Sequence, residues 1–221
     1  VPAGTFWMGA NKDAKTKLPN EEPGHEVILS KPFYMDEAPI TVGQWKAYVA
    51  TGEATLPNLG VKGTKDDMPI YNVTHDEATT YSRWAGVALP TEAQWERAAK
   101  GGKDDRVYPW GADYDFMKRN AVGDGDEFER LAPVKSFPAN EYGLYDMAGN
   151  VWQWTDDWYD AKYYVAAERT DPKGPATGTE RSVRGGAWDK TGLMARVGYR
   201  SSVDPKQRAS NLGFRCVRSL P

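Results

Sequence analysis

The chain has 221 residues and a formal net charge of −3, with 27% charged and 40% hydrophobic residues, which is ordinary for a globular domain. Its basic residues are scattered, which argues against a nucleic-acid partner, and no apolar run reaches the ~18 residues that a membrane span needs. A single cysteine excludes an internal disulfide, and two histidines exclude an imidazole-rich metal site.

Large aromatic residues and turn formers characterise the composition. The chain contains nine Trp, twelve Tyr, 22 Gly and 15 Pro. Aromatic side chains bury much area each, so a few short elements can still enclose a large core, and the glycines and prolines predict many turns. No internal repeat, linker or low-complexity segment interrupts the chain, and we therefore expect one domain over residues 1–221.

Three short helices are predicted along the first half of the chain, between strands. Each begins at a capping box, in which a threonine hydroxyl and a Glu or Gln three residues later satisfy free backbone N–H groups. The three pairs are Thr41 with Gln44, Thr74 with Glu77, and Thr91 with Gln94. The best strand candidates are residues 26–29 and 181–184.

The segment from Tyr108 to about Asp160 shows no strong periodicity. A long irregular stretch within a compact domain is usually functional or held together by a ligand. It is rich in Asp, Asn and backbone carbonyl groups, which are the oxygen ligands that calcium prefers. The alternative is that these side chains only cap turns, as Asp and Asn commonly do.

Motifs in a fixed order connect the chain to a known family. Residues 2–9 read PAGTFWMG, 89–96 LPTEAQWE, 143–155 GLYDMAGNVWQWT, 184–188 RGGAW and 211–215 NLGFR. Together they resemble the formylglycine-generating enzymes, also called sulfatase-modifying factors, from residue 1 to about 218. The resemblance implies a single α+β domain related to the C-type lectin fold, with three short helices, short antiparallel strands and little other regular structure.

The resemblance also implies that one catalytic element is missing. Active members of the family carry a cysteine pair between the RGG turn and the following arginines, and it binds copper through soft thiolate ligands. Here the interval 189–195 reads DKTGLMA and contains no cysteine. The only cysteine, Cys216, follows the last motif and is expected to be a small core residue.

Two calcium sites are implied by the family pattern. The first would use the side chains of Asn120 and Asp126 with the backbone oxygens of Ala121 and Phe128. The second would use the side chains of Asp146 and Gln153 with the backbone oxygens of Gly149 and Val151. Relatives more often have Glu at the position of Gln153, so this chain carries one negative charge less there.

A ligand surface is predicted on the loop that replaces the cysteine segment. It comprises Trp188, Asp189, Lys190, Arg196 and Arg200, which follow a Gly-Gly turn that can expose them. The alternative is structural. The apolar side chains of the same loop would then pack inward, and the arginines would pair with acids such as Asp156, Asp157 or Asp189 to tie loops together.

Three functional classes remain open. We expect a calcium-stabilised binding or accessory module for a protein or peptide partner, in the periplasm or outside the cell. The second class is a non-heme-iron or copper-dependent oxidase of the pyoverdine-maturation type, which works without the cysteine pair. The third is one domain of a sulfoxide synthase, but such enzymes hold iron in a separate histidine-rich domain, and this chain has none.

Overall fold

A computed structural model describes residues 1–10, 16–60, 64–111 and 130–220. Within these residues the chain forms three α-helices and eight strands, a mixed α+β fold as predicted. In chain order they are β1 (Gly4–Met8), β2 (His25–Leu29), β3 (Phe33–Met35), α1 (Val42–Val49), α2 (His75–Trp84), α3 (Glu92–Lys100), β4 (Trp152–Trp158), β5 (Arg181–Arg184), β6 (Ser201–Val203), β7 (Leu212–Gly213) and β8 (Val217–Ser219).

All three predicted capping boxes are present. At the start of α3, the Gln94 N–H donates to the Thr91 hydroxyl at 3.1 Å, and the Thr91 N–H donates to the Gln94 side chain at 2.9 Å. The same reciprocal pair opens α1 at Thr41 and α2 at Thr74. Helix α3 ends at Gly101, whose φ of 61° is left-handed and therefore favours glycine.

The strands form three small sheets. Strands β1 and β2 pair with each other, β3 pairs with β8, and a four-stranded sheet has the order β6-β5-β4-β7. The pairs are antiparallel as predicted except for β4 and β7, which run parallel. The chain crosses after β6 to the β4 edge of the sheet and also returns to the end at which β6 begins, so β7 runs in the same direction as β4.

An aromatic core joins α1 and α2 to the four-stranded sheet. The Trp45 and Tyr81 rings stack with centroids 5.5 Å apart, and Phe214 meets both edge-on. Trp154 and Val183, on β4 and β5, are fully buried in the same cluster. Aromatic rings thus make up a substantial part of this core, as the composition predicted.

Among the described residues, no helix is both long and apolar enough to cross a membrane.

Candidate functional site

Two glycines turn the chain out of β5 and start the loop that was predicted to bind a ligand. Gly185 and Gly186 have φ values of 97° and 74°, a region that L side chains rarely adopt. A Cβ atom on Gly186 would lie 3.0 Å from the carbonyl oxygen of Met194. The Gly185 carbonyl accepts a 2.8 Å hydrogen bond from the Gly149 N–H, which ties this turn to the loop with the second predicted calcium site.

Arg184 and Arg200 on either side of this loop are buried against acids of α3. Arg184 donates to Glu92 at 2.9 Å and to Glu96 at 2.5 Å, and Arg200 donates two hydrogen bonds to Glu92 at 2.8 and 2.9 Å. Burial alone would raise the pKa of Glu92, but Arg200 and Arg184 together lower it to about 2. Glu92 is therefore a carboxylate at any physiological pH.

Arg196 is held in the same manner by a third glutamate. Its guanidinium donates to the two carboxylate oxygens of Glu21 at 2.8 and 2.6 Å, and Glu21 is fully buried. Charges that are paired and desolvated in this geometry are not available to a ligand. Arg196 and Arg200, both predicted as ligand residues, are thus buried in ion pairs that anchor the loop to the domain, which favours the structural alternative for these two side chains.

The other three predicted ligand residues remain at the surface. Trp188 is half-buried and its indole N–H donates to the Ser210 carbonyl at 3.4 Å. Asp189 accepts from Asn211 at 2.8 Å and forms an ion pair with Lys190 at 3.1 Å. Because the Asp189–Lys190 pair is solvent-exposed, it is weak and can be exchanged for a pair with a partner.

Cys216 cannot replace the missing pair of thiols. Its side chain is 1% exposed and lies 3.3 Å from the hydroxyl of Ser82 in the core. Burial, together with the nearby carboxyl of Asp36, raises the pKa of the thiol. A buried thiol that resists ionisation is neither a nucleophile nor a ready copper ligand, so the expectation of a core cysteine is confirmed.

Three of the four ligands predicted for the second calcium site fit a cation. Asp146 is almost fully buried, and although Lys135 donates a backbone hydrogen bond to it at 2.8 Å, burial raises its pKa. The carbonyl oxygens of Gly149 and Val151 receive no hydrogen bond from any described residue. A buried carboxyl and carbonyls without donors would each gain from a nearby cation.

Gln153, the fourth residue of this set, does not fit as a ligand. Its side-chain oxygen already accepts hydrogen bonds from Trp95 at 2.8 Å and Arg215 at 2.7 Å, and its amide donates to the Asp146 carbonyl at 2.8 Å. These two N–H groups occupy both lone pairs of the Gln153 oxygen. The candidate ligand set is therefore reduced to Asp146, Gly149 and Val151.

The first predicted calcium site lies outside the described residues, which omit 112–129. Its four predicted ligands are Asn120, Ala121, Asp126 and Phe128. In the described part of the chain, no group of three or more His, Cys, Asp or Glu side chains is arranged to hold a metal ion.

The glutamates that hold the arginines were not predicted from the sequence. Glu92 and Glu96 lie four residues apart and so share one face of α3, and both are buried. Buried carboxylates need cationic partners. Two acids on the inward face of a helix could therefore have predicted ion pairs with the arginines of the family motifs. Glu21 offered no such signal, since it lies in a 3-10 turn over Pro19–Glu21.

Comparison with known proteins decides the family. Residues 1–220 match the sulfatase-modifying factor enzyme 1-like domain. The chain belongs to the sulfatase-modifying factor family. It is a member without the cysteine pair, since its sequence contains one cysteine only, at position 216.

Curated relatives of this sulfatase-modifying factor domain include formylglycine-generating enzymes and a protein that is named inactive. The formylglycine-generating enzyme of Streptomyces coelicolor is 34% identical over 277 residues, covering 98% of this chain and 87% of the relative. The mouse protein named inactive C-alpha-formylglycine-generating enzyme 2 is 37% identical over 280 residues, covering 99% and 84%. Both alignments are longer than this chain, so both relatives carry segments that it lacks.

Among solved structures, PvdO from Pseudomonas aeruginosa superposes on the sulfatase-modifying factor domain with a TM-score of 0.87. The two are 27% identical, and the match covers all of this chain and 93% of PvdO. The predicted formylglycine-generating-enzyme-like fold is thereby confirmed.

Proposed function

We propose that this protein is a binding or accessory module for a protein or peptide partner and does not generate formylglycine. The observation that carries the proposal is the composition and the environment of the loop after Gly186. The loop contains no thiol, and its flanking arginines are neutralised by buried glutamates. The part of this loop that a partner can contact is the surface formed by Trp188, Asp189 and Lys190, which we call the Trp188 surface.

The Trp188 surface has the chemistry of a peptide-binding patch. The exposed part of the half-buried Trp188 supplies apolar surface, with the Arg130 guanidinium 5.8 Å from its ring centre, and the adjacent ion pair of Asp189 and Lys190 supplies one charge of each sign. Tryptophan is among the residues that most often dominate protein interfaces. The loop is fixed at both ends by Arg184 and Arg200, so it loses little conformational entropy on binding.

The mouse relative supports a role without catalysis, because it is named inactive and is 37% identical to this chain. Fold alone does not decide function within a family. The proposal therefore depends on the loop and not on the name of any relative.

Calcium is proposed as a stabilising ion at Asp146, Gly149 and Val151. The buried Asp146 carboxyl and the two carbonyl oxygens without described donors support this site. Calcium sites of modest affinity are typical of extracellular modules, and we place the protein in the periplasm or outside the cell on that basis.

A peptide assay tests the proposal directly. A synthetic peptide with a Cys-x-Pro-x-Arg sequence is incubated with the protein and copper, and its mass is measured. We expect no change in mass, because no pair of thiolates is available to bind copper and activate oxygen. A formylglycine enzyme with both cysteines is the positive control. Copper-dependent conversion of the peptide cysteine by this protein would overturn the proposal.

The second candidate function is an oxidase of the pyoverdine-maturation type that uses iron or copper. The 27% identity and the TM-score of 0.87 with PvdO favour it. Metal analysis of the purified protein separates the two candidates. A binding module is expected to contain calcium at most, and an oxidase is expected to contain stoichiometric iron or copper.

A further inference from the structure

Arg215 is buried in a different manner from Arg184, Arg196 and Arg200. Those three side chains each form an ion pair with a buried glutamate. Arg215 is fully buried, yet it forms no ion pair with any residue that the structure describes. A buried charge without an opposite charge beside it is costly, so its surroundings must tolerate an unbalanced cation.

The guanidinium of Arg215 is fully hydrogen-bonded, but every acceptor is neutral. The acceptors, between 2.7 and 3.4 Å from its nitrogens, are the side-chain oxygen of Gln153 and the carbonyl oxygens of Asp36, Glu37, Tyr145 and Asp146. Burial lowers the pKa of Arg215 to about 10, opposed by the nearby carboxyl groups of Asp146 and Asp36. The guanidinium is therefore still a cation at neutral pH.

This cation borders the proposed calcium site. Nη2 of Arg215 lies 2.9 Å from the carbonyl oxygen of Asp146, and the Asp146 side chain is the one charged group among the described ligands Asp146, Gly149 and Val151. The Gln153 amide donates to the same carbonyl at 2.8 Å and carries no charge. The single negative charge of the site is thus opposed by one positive charge from Arg215.

We propose that Arg215 limits the calcium affinity of this site through its unbalanced charge, and that the residue at position 153 sets the size of that effect. This inference rests on the calcium site proposed above. The affinity of a calcium site depends on how many charged ligands surround the ion. A guanidinium beside the site repels a divalent cation strongly, because the protein interior screens charges less than water does.

Position 153 controls the balance because its side chain lies between Arg215 and Asp146. In Gln153→Glu, one carboxylate oxygen keeps the hydrogen bonds from Trp95 and Arg215 and supplies the missing negative charge. The other oxygen replaces an N–H that donates to the Asp146 carbonyl. Two oxygens then face each other, and a cation beside them relieves their repulsion.

The test is calorimetric titration of the full chain with calcium at pH 8, after treatment with a chelator. The binding event that Asp146→Asn abolishes is the one to compare. For the wild type we expect a dissociation constant of about 0.1–1 mM, as in weak extracellular calcium sites. Gln153→Glu should tighten binding about tenfold or more, since one added charge at close range supplies at least that factor. Gln207→Glu, at an exposed position, is the matched control and should change nothing.

A second variant separates the charge of Arg215 from the addition of a new ligand oxygen. Asp36 lies at the opposite nitrogen of the guanidinium, where its carbonyl accepts from Nη1 at 3.1 Å. Its carboxylate accepts from the Cys216 N–H at 2.9 Å, a bond that the amide oxygen in Asp36→Asn can keep. This variant leaves Arg215 less balanced without touching a candidate ligand, and it should weaken calcium binding about threefold or more.

The outcomes distinguish this inference from the calcium proposal. Calcium binding by neither the wild type nor Gln153→Glu would overturn both. If the wild type binds calcium but Gln153→Glu binds no more tightly, or Asp36→Asn binds equally well, then Arg215 has a structural role alone and the calcium site stands without it. Submicromolar binding by the wild type would also contradict a limiting role. Thermal melting with chelator shows which variants fold, and Asp36→Asn decides if Gln153→Glu does not.

Discussion

Arg200 holds Glu92 by two hydrogen bonds, 2.8 Å from Nε to Oε1 and 2.9 Å from Nη2 to Oε2. Oε1 of Glu92 is shared with Arg184, and the three side chains are buried. The Arg200 guanidinium also lies 4.0 Å from the ring centre of Tyr164, a cation–π contact. One carboxylate of α3 thus fixes both ends of the loop that carries the Trp188 surface.

Removing the charge of Glu92 should therefore be strongly destabilising. Glu92→Gln leaves two buried guanidinium groups without this carboxylate, and the expected loss of unfolding free energy is about 3–5 kcal/mol. Urea denaturation followed by tryptophan fluorescence measures it. The exposed Glu26→Gln is the control, with an expected change within about 0.5 kcal/mol. A loss from Glu92→Gln no larger than that of the control would contradict the role of this ion pair.

His75 should make stability fall as the pH is lowered. It is buried, its Nε2 lies 3.0 Å from the Thr155 carbonyl, and its ring meets Trp154 edge-on. Burial and the nearby Arg181 lower its pKa from 6.5 to about 4. The unfolded chain therefore takes up a proton near pH 6.5, and the folded protein does so only near pH 4.

This difference gives a testable pH window. Stability should decline by up to about 3 kcal/mol as the pH falls from 6.5 to 4, and it should be unaffected by His75 above that window. Denaturation curves at several pH values measure the decline. In His75→Gln the neutral amide still donates to Thr155, so the slope in this window should become smaller. Identical slopes for the variant and the wild type would show that His75 is not the group responsible.

Calcium should raise the melting temperature of the protein. Binding to the folded state alone adds about 2.7 kcal/mol at a hundredfold excess over the dissociation constant. Asp146→Asn removes the buried charge of the described site and should reduce the effect. Glu180→Gln, at an exposed position, should leave it unchanged. The calcium proposal fails if a chelator leaves the melting temperature unmoved on protein then shown to be metal-free.

The Trp188 surface should be required for partner capture. A partner retained by the immobilised wild-type protein should be lost with Trp188→Ala and weakened by Lys190→Glu, because the first removes the apolar face and the second reverses a charge. Tyr34→Ala is the control, since Tyr34 is 65% exposed on β3, outside this surface. Thermal melting confirms that each variant is folded. Retention of the partner by Trp188→Ala would place the interface elsewhere.

Local structure and family membership follow from the order of the residues alone. Each capping box spans four residues, such as Thr91 to Gln94, so its hydrogen bonds depend on neighbours in the chain and can be predicted without a fold. The strand over Arg181–Arg184 was also predicted with its observed bounds. The lack of a second cysteine is likewise a property of the sequence.

The roles of the arginines and of Gln153, in contrast, depend on tertiary packing. Arg200 pairs with a glutamate 108 positions earlier and not with the acids at 156, 157 or 189, and Arg196 with one 175 positions earlier. The side-chain oxygen of Gln153 accepts hydrogen bonds from Trp95 and Arg215, which lie 58 and 62 positions away in the chain. This oxygen is therefore not free to bind a cation. A charged or polar side chain in the core must form a hydrogen bond or an ion pair there, because burying it unpaired costs free energy. Which partner lies within reach depends on how α3 packs against the four-stranded sheet, and that is not encoded in local spacing.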